Sequence, residues 1–159
     1  MKEITLKLNY TEYESLEEMS QEDQQLVKAA LESQAGSYSP YSNFQVGAAL
    51  RLANGVIVKG ANQENAAYPS GLCAERTAMF WASANYPDVP FDTLAIAGSD
   101  HGELCESPAS PCGACRQVMA EYQKKYGRPL KTIWVGSKRI RKFESVDDIL
   151  PFIFDSLKV

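Results

Sequence analysis

The sequence predicts an α/β fold in three layers (α/β/α), with helices covering both faces of a mixed sheet of about five strands. Two observations carry this. After residue 44, apolar runs of strand length alternate with segments of helical length that carry helix-start and helix-stop residues, an order that calls for a sheet covered by helices. The first two of those strands flank Ala53-Asn54-Gly55, a strong hairpin signal, so an antiparallel pair belongs to the sheet. At 159 residues the chain is long enough for one core and reads as a single domain over 1–159, with residues 1–20 as an N-terminal extension.

Taken in order, Ile4, Leu6, Leu8 and Tyr10 alternate with Glu3, Thr5, Lys7 and Asn9, which predicts an N-terminal strand with one buried face. Ser20 with Asp23 resembles a capping box and opens a helix through about Gln34. A Ser/Tyr/Pro loop follows to Phe44. The hairpin strands run over Val46–Leu52 and Val56–Lys59, and Gly47, Ala48 and Ala49 leave the first low in bulk, open to close approach by another element or a ligand. A helix is expected from near Cys73 to about Ala84, a buried strand over Thr93–Ala97, and a second helix from Pro111 or Cys112 to about Lys125, where proline suits the start. Thr132–Val135 reads as a strand ended by Gly136, and Val146–Leu150 as a short helix stopped by Pro151.

Composition narrows the function. Sixteen Lys and Arg against twenty Asp and Glu give a net charge of −4, which disfavours a nucleic-acid partner held by phosphate neutralisation. The basic residues between Lys124 and Lys142 and the acidic ones between Glu12 and Asp23 read as solvated faces of opposite sign. No apolar run approaches a membrane span, and the first residues lack a signal peptide's apolar segment. Four cysteines without an export signal favour metal or catalytic use, and the cytoplasm is the expected compartment.

The chemistry-bearing residues are Cys73, Glu75, Cys112 and Cys115. Cys112 and Cys115 share one face of a helix's first turn, and Cys73 opens another helix, so helix dipoles favour all three thiolates. Three ligands leave a fourth position on zinc for water, which distinguishes a catalytic site from a closed structural one. Three thiolates against Zn²⁺ leave a charge of −1, which weakens the metal's power to acidify water. Arg76 and Arg116 are the candidate compensating cations. Taken alone, Cys112-x-x-Cys115 also suits a redox dithiol or half of a structural zinc site. Cys105 reads as a free loop thiol, and His101, the only histidine, as a surface or turn residue.

Four stretches resemble cytidine deaminase of the compact, homotetrameric, three-cysteine kind: 39–49 (SPYSNFQVGAA), 62–69 (NQENAAYP), 71–78 (GLCAERTA) and 110–117 (SPCGACRQ). The resemblance spans about Gln34 to Phe154 and implies a cytidine deaminase-like fold with a resident Zn²⁺ held by Cys73, Cys112 and Cys115. It implies that zinc-bound hydroxide attacks C4 of cytidine or deoxycytidine while Glu75 shuttles protons to N3 and to the departing ammonia, a step of pyrimidine salvage. Asn62 and Glu64, which alternate after the second hairpin strand and can project to one side, would hold the ribose 3′-hydroxyl. Phe44 would pack on the pyrimidine, and the backbone of Ala74 would read the base edge. Phe154 would cap the base from another subunit of a homotetramer with shared sites, and Ala66 and Tyr68 would reach a neighbouring nucleoside.

Other readings stay open at this point. Blasticidin deaminases look similar around the cysteines but lack the Asn62/Glu64 pair. Transfer-RNA adenosine and cytidylate deaminases typically place His where Cys73 stands. A zinc-stabilised binding module would need a fourth ligand, and a thiol oxidoreductase would use Cys112 and Cys115 without metal.

Overall fold

A computed structural model of the chain describes residues 1–154. Strands β1 (Thr11–Tyr13), β2 (Phe44–Leu52), β3 (Ile57–Ala61), β4 (Phe91–Asp100), β5 (Glu103–Leu104), β6 (Lys131–Val135) and β7 (Ile140–Phe143) form one sheet, flanked by helices α1 (Gln21–Ser33), α2 (Ala74–Asn85) and α3 (Gly113–Tyr126). The strand order is β1-β7-β6-β4-β2-β3, with β5 paired to the end of β4. Only β4 and β6 run parallel, so the sheet is mixed as expected. Its faces bury two separate clusters. α1 covers Ala49, Ala95, Ile133 and Val135 on one side, while α2 and α3 cover Leu50, Leu94 and Ile96 on the other. Each fully buried Leu, Ile or Met contributes roughly 1.5–3 kcal/mol.

Small residues set where the helices cross the sheet. A Cβ on Gly47 would stand 2.1 Å from the Ala30 carbonyl, so α1 packs directly on β2 there. A Cβ on Gly60 would meet the Ala74 carbonyl and the Ala78 amide, both at 2.6 Å. Gly60 thereby lets the first turn of α2 sit against β3, which fixes the height of Cys73, Glu75 and Arg76 above the sheet. The low bulk of β2 serves helix packing and not a ligand.

Two expectations change, and among the described residues the sheet has seven strands where about five are expected, β5 and β7 being additional. The strand over Ile4, Leu6, Leu8 and Tyr10 does not form: all four side chains are more than half exposed, and pairing starts only at Thr11, opposite Lys142. Alternation marks a face for burial but supplies no partner, and β7 offers an edge of just four residues, three of them taken by β1. β7 itself escapes the pattern because Arg141 and Lys142 separate its two buried residues, Ile140 and Phe143. The helix expected over Val146–Leu150 is a single 3-10 turn, Val146–Asp148.

The charged stretches are not two separate solvated faces. Ser20 caps α1 by accepting a hydrogen bond from the Asp23 amide at 3.3 Å. The Asp23 carboxylate does not close a capping box but pairs with Arg51 at 3.1 Å and Lys142 at 2.8 Å. Glu12 pairs with Arg141 at 2.9 Å, joining the acidic N-terminal region to the basic C-terminal one.

Candidate functional site

α2 and α3 begin alike. Cys73 and Cys112 are their N-cap residues, both extended (φ −70°, ψ 153° and φ −67°, ψ 165°), and neither spends its side chain on capping. The Cys73 carbonyl accepts from the Thr77 amide at 3.0 Å and the Thr77 hydroxyl at 3.1 Å, and the Cys112 carbonyl from the Arg116 amide at 3.0 Å. Both carbonyls are thus engaged within their helices, and both side chains stay free of capping bonds. Cys115 lies in the first turn of α3 and is buried.

The three sulfurs converge. Cys73 Sγ and Cys112 Sγ are 3.9 Å apart, Cys112 Sγ and Cys115 Sγ 3.5 Å, and all three fall within 4.8 Å of one another. A tetrahedral zinc with Zn–S bonds of ~2.3 Å would hold its sulfurs about 3.8 Å apart. The spacing and the all-sulfur donor set therefore fit Zn²⁺. Among the described residues no other cluster of His, Cys, Asp or Glu has this form.

Charge is unevenly shared in the cluster. Cys73 is pulled down to about 5, first by the hydrogen bond from Cys115 and then by Arg76, whose Nη2 lies 3.5 Å from its sulfur. Cys115 is pushed up as the donor of that bond and by burial. Glu75, 4% exposed, is raised to about 7, chiefly by burial, with the Cys73 thiolate adding to the rise against its own backbone N–H and the Cys115 thiol. A buried carboxyl poised near neutrality beside converging thiols can both give and take a proton. Arg116 does not reach the sulfurs. It donates to the Pro111 and Ile149 carbonyls at 2.9 and 3.0 Å and lies 5.5 Å over the Trp134 ring.

Cys73 and Arg76 open onto a cavity of about 510 Å³ that Tyr41, Asn62, Glu64 and Tyr68 also line. Asn62 Oδ1 accepts from the Val46 amide at 2.8 Å and the Ser37 hydroxyl at 2.6 Å, while its Nδ2 donates to the Phe44 carbonyl at 2.9 Å. Glu64 accepts from the Tyr41 and Ser42 amides at 2.9 and 3.2 Å and from the Ser42 hydroxyl. These bonds, the Ser42 hydroxyl first, hold its carboxyl below the usual range. Each side chain is left with one hydrogen-bonding capacity: an N–H on Asn62 and a lone pair on Glu64.

The remaining expected residues are less concentrated. Ala74 is fully buried beneath the site. The Phe44 ring packs over Gly98, whose added Cβ would stand 3.0 Å from Phe44 Cζ. Ala66 and Tyr68 are exposed, Tyr68 at 91%. Phe154 is 70% exposed at the end of the described chain, held to α3 through Gln117. Ser42 escapes the sequence reading as a site residue, since it acts on a residue 22 positions away and leaves no local pattern. His101 occupies the β4–β5 turn with φ 49°, and Cys105 is a half-buried free thiol.

Known proteins resemble this chain in sequence and fold. The family model described as the cytidine and deoxycytidylate deaminase zinc-binding region matches residues 20–126. A cytidine deaminase of Halalkalibacterium halodurans is 50% identical over 98 residues, which cover 62% of this chain and 70% of the relative. The crystal structure of cytidine deaminase from Burkholderia pseudomallei superposes with a TM-score of 0.71 at 39% identity, covering 86% of this chain and 100% of that one. A blasticidin-S deaminase of Bacillus cereus is more distant, 32% identical over 107 residues, 65% of this chain and 75% of the relative.

Proposed function

The chain belongs to the cytidine and deoxycytidylate deaminase family, and from that premise we propose that it hydrolyses cytidine and deoxycytidine to uridine and deoxyuridine with release of ammonia. The observation that carries the reading is the convergence of three sulfurs within 4.8 Å of one another beside a buried Glu75. Cys73, Cys112 and Cys115 would hold the zinc, which would supply the Lewis acidity that makes water a nucleophile near neutral pH.

Glu75 takes a proton from the attacking water, gives it to N3 of the ring as C4 becomes tetrahedral, and then carries the second proton to the departing amine. Its raised carboxyl suits both directions of transfer. Arg76 offsets the excess negative charge of the three thiolates through its contact with Cys73. Asn62 and Glu64 bind the ribose 3′-hydroxyl. A hydroxyl is one donor and one acceptor, which matches the single acceptor left on Glu64 and the single donor left on Asn62. Phe44 packs against the pyrimidine, and the backbone of Ala74 reads the base edge.

The same reading assembles four copies with shared sites, in which Phe154 caps a neighbour's base and Ala66 and Tyr68 approach a neighbour's nucleoside. Residues 1–159 then form one deaminase domain extended at 1–20, and pyrimidine salvage in the cytoplasm is its setting. Among the described residues no helix is long and apolar enough to cross a membrane. The net charge of −4 suits a small nucleoside better than a polynucleotide.

The test is ammonia release from zinc-replete protein given cytidine, deoxycytidine or blasticidin S. Release from both nucleosides is the expected result. Release from blasticidin S alone would transfer the chain to that activity, and release from none would leave a zinc-binding module.

A further inference from the structure

We propose that Gln117 is a positioning residue, whose side-chain amide fixes the C-terminal aromatic segment on the helix that carries Cys112 and Cys115. The inference rests on the reading of Phe154 as a wall of a neighbouring nucleoside site. Gln117 Nε2 donates to the Phe154 carbonyl at 3.0 Å, and the Phe154 amide donates to Gln117 Oε1 at 3.1 Å. One side chain thus satisfies both main-chain groups of one residue, as a neighbouring strand would.

The ring of Phe154 takes no part in this. It stays 70% exposed, and Phe152 two residues earlier stays 80% exposed. Holding the main chain of Phe154 in place while its ring faces outward suits a ring that is presented to a neighbouring copy. The segment is tied at its other end too. Arg116, next to Gln117, donates to the Ile149 carbonyl at 3.0 Å, and Pro151 between the two ties restricts the backbone.

Consecutive residues of α3 therefore hold both ends of the segment 149–154. Gln117 follows Cys115 by two residues, about 3 Å of rise along the helix. The position of Phe154 relative to the thiol cluster is then set through one rigid element. Removing the amide leaves the ring attached to the chain but no longer aimed, so substrate binding suffers while the proton chemistry at Glu75 does not.

Steady-state kinetics on zinc-replete Gln117→Leu, Phe154→Ala and the double variant test this, alongside zinc content and chymotryptic cleavage of the C-terminal segment. Each lost hydrogen bond is worth roughly a factor of two to ten, so Gln117→Leu is expected to raise KM for cytidine about tenfold. Its kcat should stay within about twofold of the parent and its zinc content unchanged. Cleavage at Phe152 and Phe154 should quicken. The double variant should be no worse than Phe154→Ala, because both act through one ring. Additive effects, an unchanged KM in Gln117→Leu beside a raised one in Phe154→Ala, or unaltered cleavage would overturn the inference while leaving the role of Phe154 intact. An unchanged KM in Phe154→Ala would remove the reading of Phe154 as a wall, and the inference with it.

Discussion

Two clusters of charged and titratable side chains, one around the buried Asp23 and one around the buried Glu75, lie on opposite faces of the same sheet, and they are built on opposite principles. Beside α1, Asp23, Arg51, Asp92 and Lys142 interlock through ion pairs of 2.8–3.1 Å. Every one is stabilised in its charged form: burial works against the charges, and the partners outweigh it, lowering Asp23 and Asp92 and raising Arg51 and Lys142. At the starts of α2 and α3 the balance reverses. Burial wins at Glu75, raised to about 7, and Cys115 is pushed up while Cys73 falls to about 5. The first cluster neutralises itself and holds elements together. The second keeps groups whose values are driven apart, the pattern of a site that does chemistry.

The sharpest way to break this contrast is Glu75→Gln, which keeps shape and burial but removes the titrating proton. We expect kcat to fall by roughly 10²–10⁴, the usual weight of general acid–base catalysis, with the thermal midpoint unchanged or higher. Near-parental turnover would make Glu75 a structural acid like Asp23.

Next in size is Asp23→Asn, which leaves Arg51 and Lys142 short of a partner and should cost about 3 kcal/mol at pH 7 without altering turnover of the folded enzyme. The pH dependence has a definite sign. The folded-state value of Asp23 is lowered, so its contribution is full above the unfolded value of about 3.9. It is lost as pH falls through the folded one. Denaturant midpoints of parent and variant should therefore converge below about pH 4, and a constant gap down to pH 2 would contradict the ion-pair account.

The smallest effect belongs to Arg76→Ala. One charge-assisted contact to Cys73 is worth about tenfold in turnover, and supplying zinc in excess should not restore it. Full restoration by zinc would mean that Arg76 serves metal retention alone.

How far the sequence reached follows the same division between local and distant. The helix starts at Cys73 and Cys112 were readable because a cap, a first turn and a proline are decided within four residues. Gly47 could be suspected of close approach, yet which element approached depended on chain folding, and Gly60 gave no such signal. Ile4 to Tyr10 carried a clear alternation with no way to tell that Thr11–Tyr13 would take three of the four residues on the nearby edge, β7. Asn62 and Glu64 stood out as a polar pair, but their saturation by Ser37, Val46, Tyr41 and Ser42 is a property of the folded loop. It left one donor and one acceptor, which no spacing rule could have counted.

The central claim is that the cysteines hold the metal and Glu75 moves the proton. Zinc content and cytidine turnover measured side by side in Cys73→Ala and Glu75→Gln test it most directly. The account predicts that Cys73→Ala loses both, whereas Glu75→Gln keeps one zinc per chain and loses turnover. A full equivalent of zinc in Cys73→Ala, or zinc lost from Glu75→Gln, would contradict it.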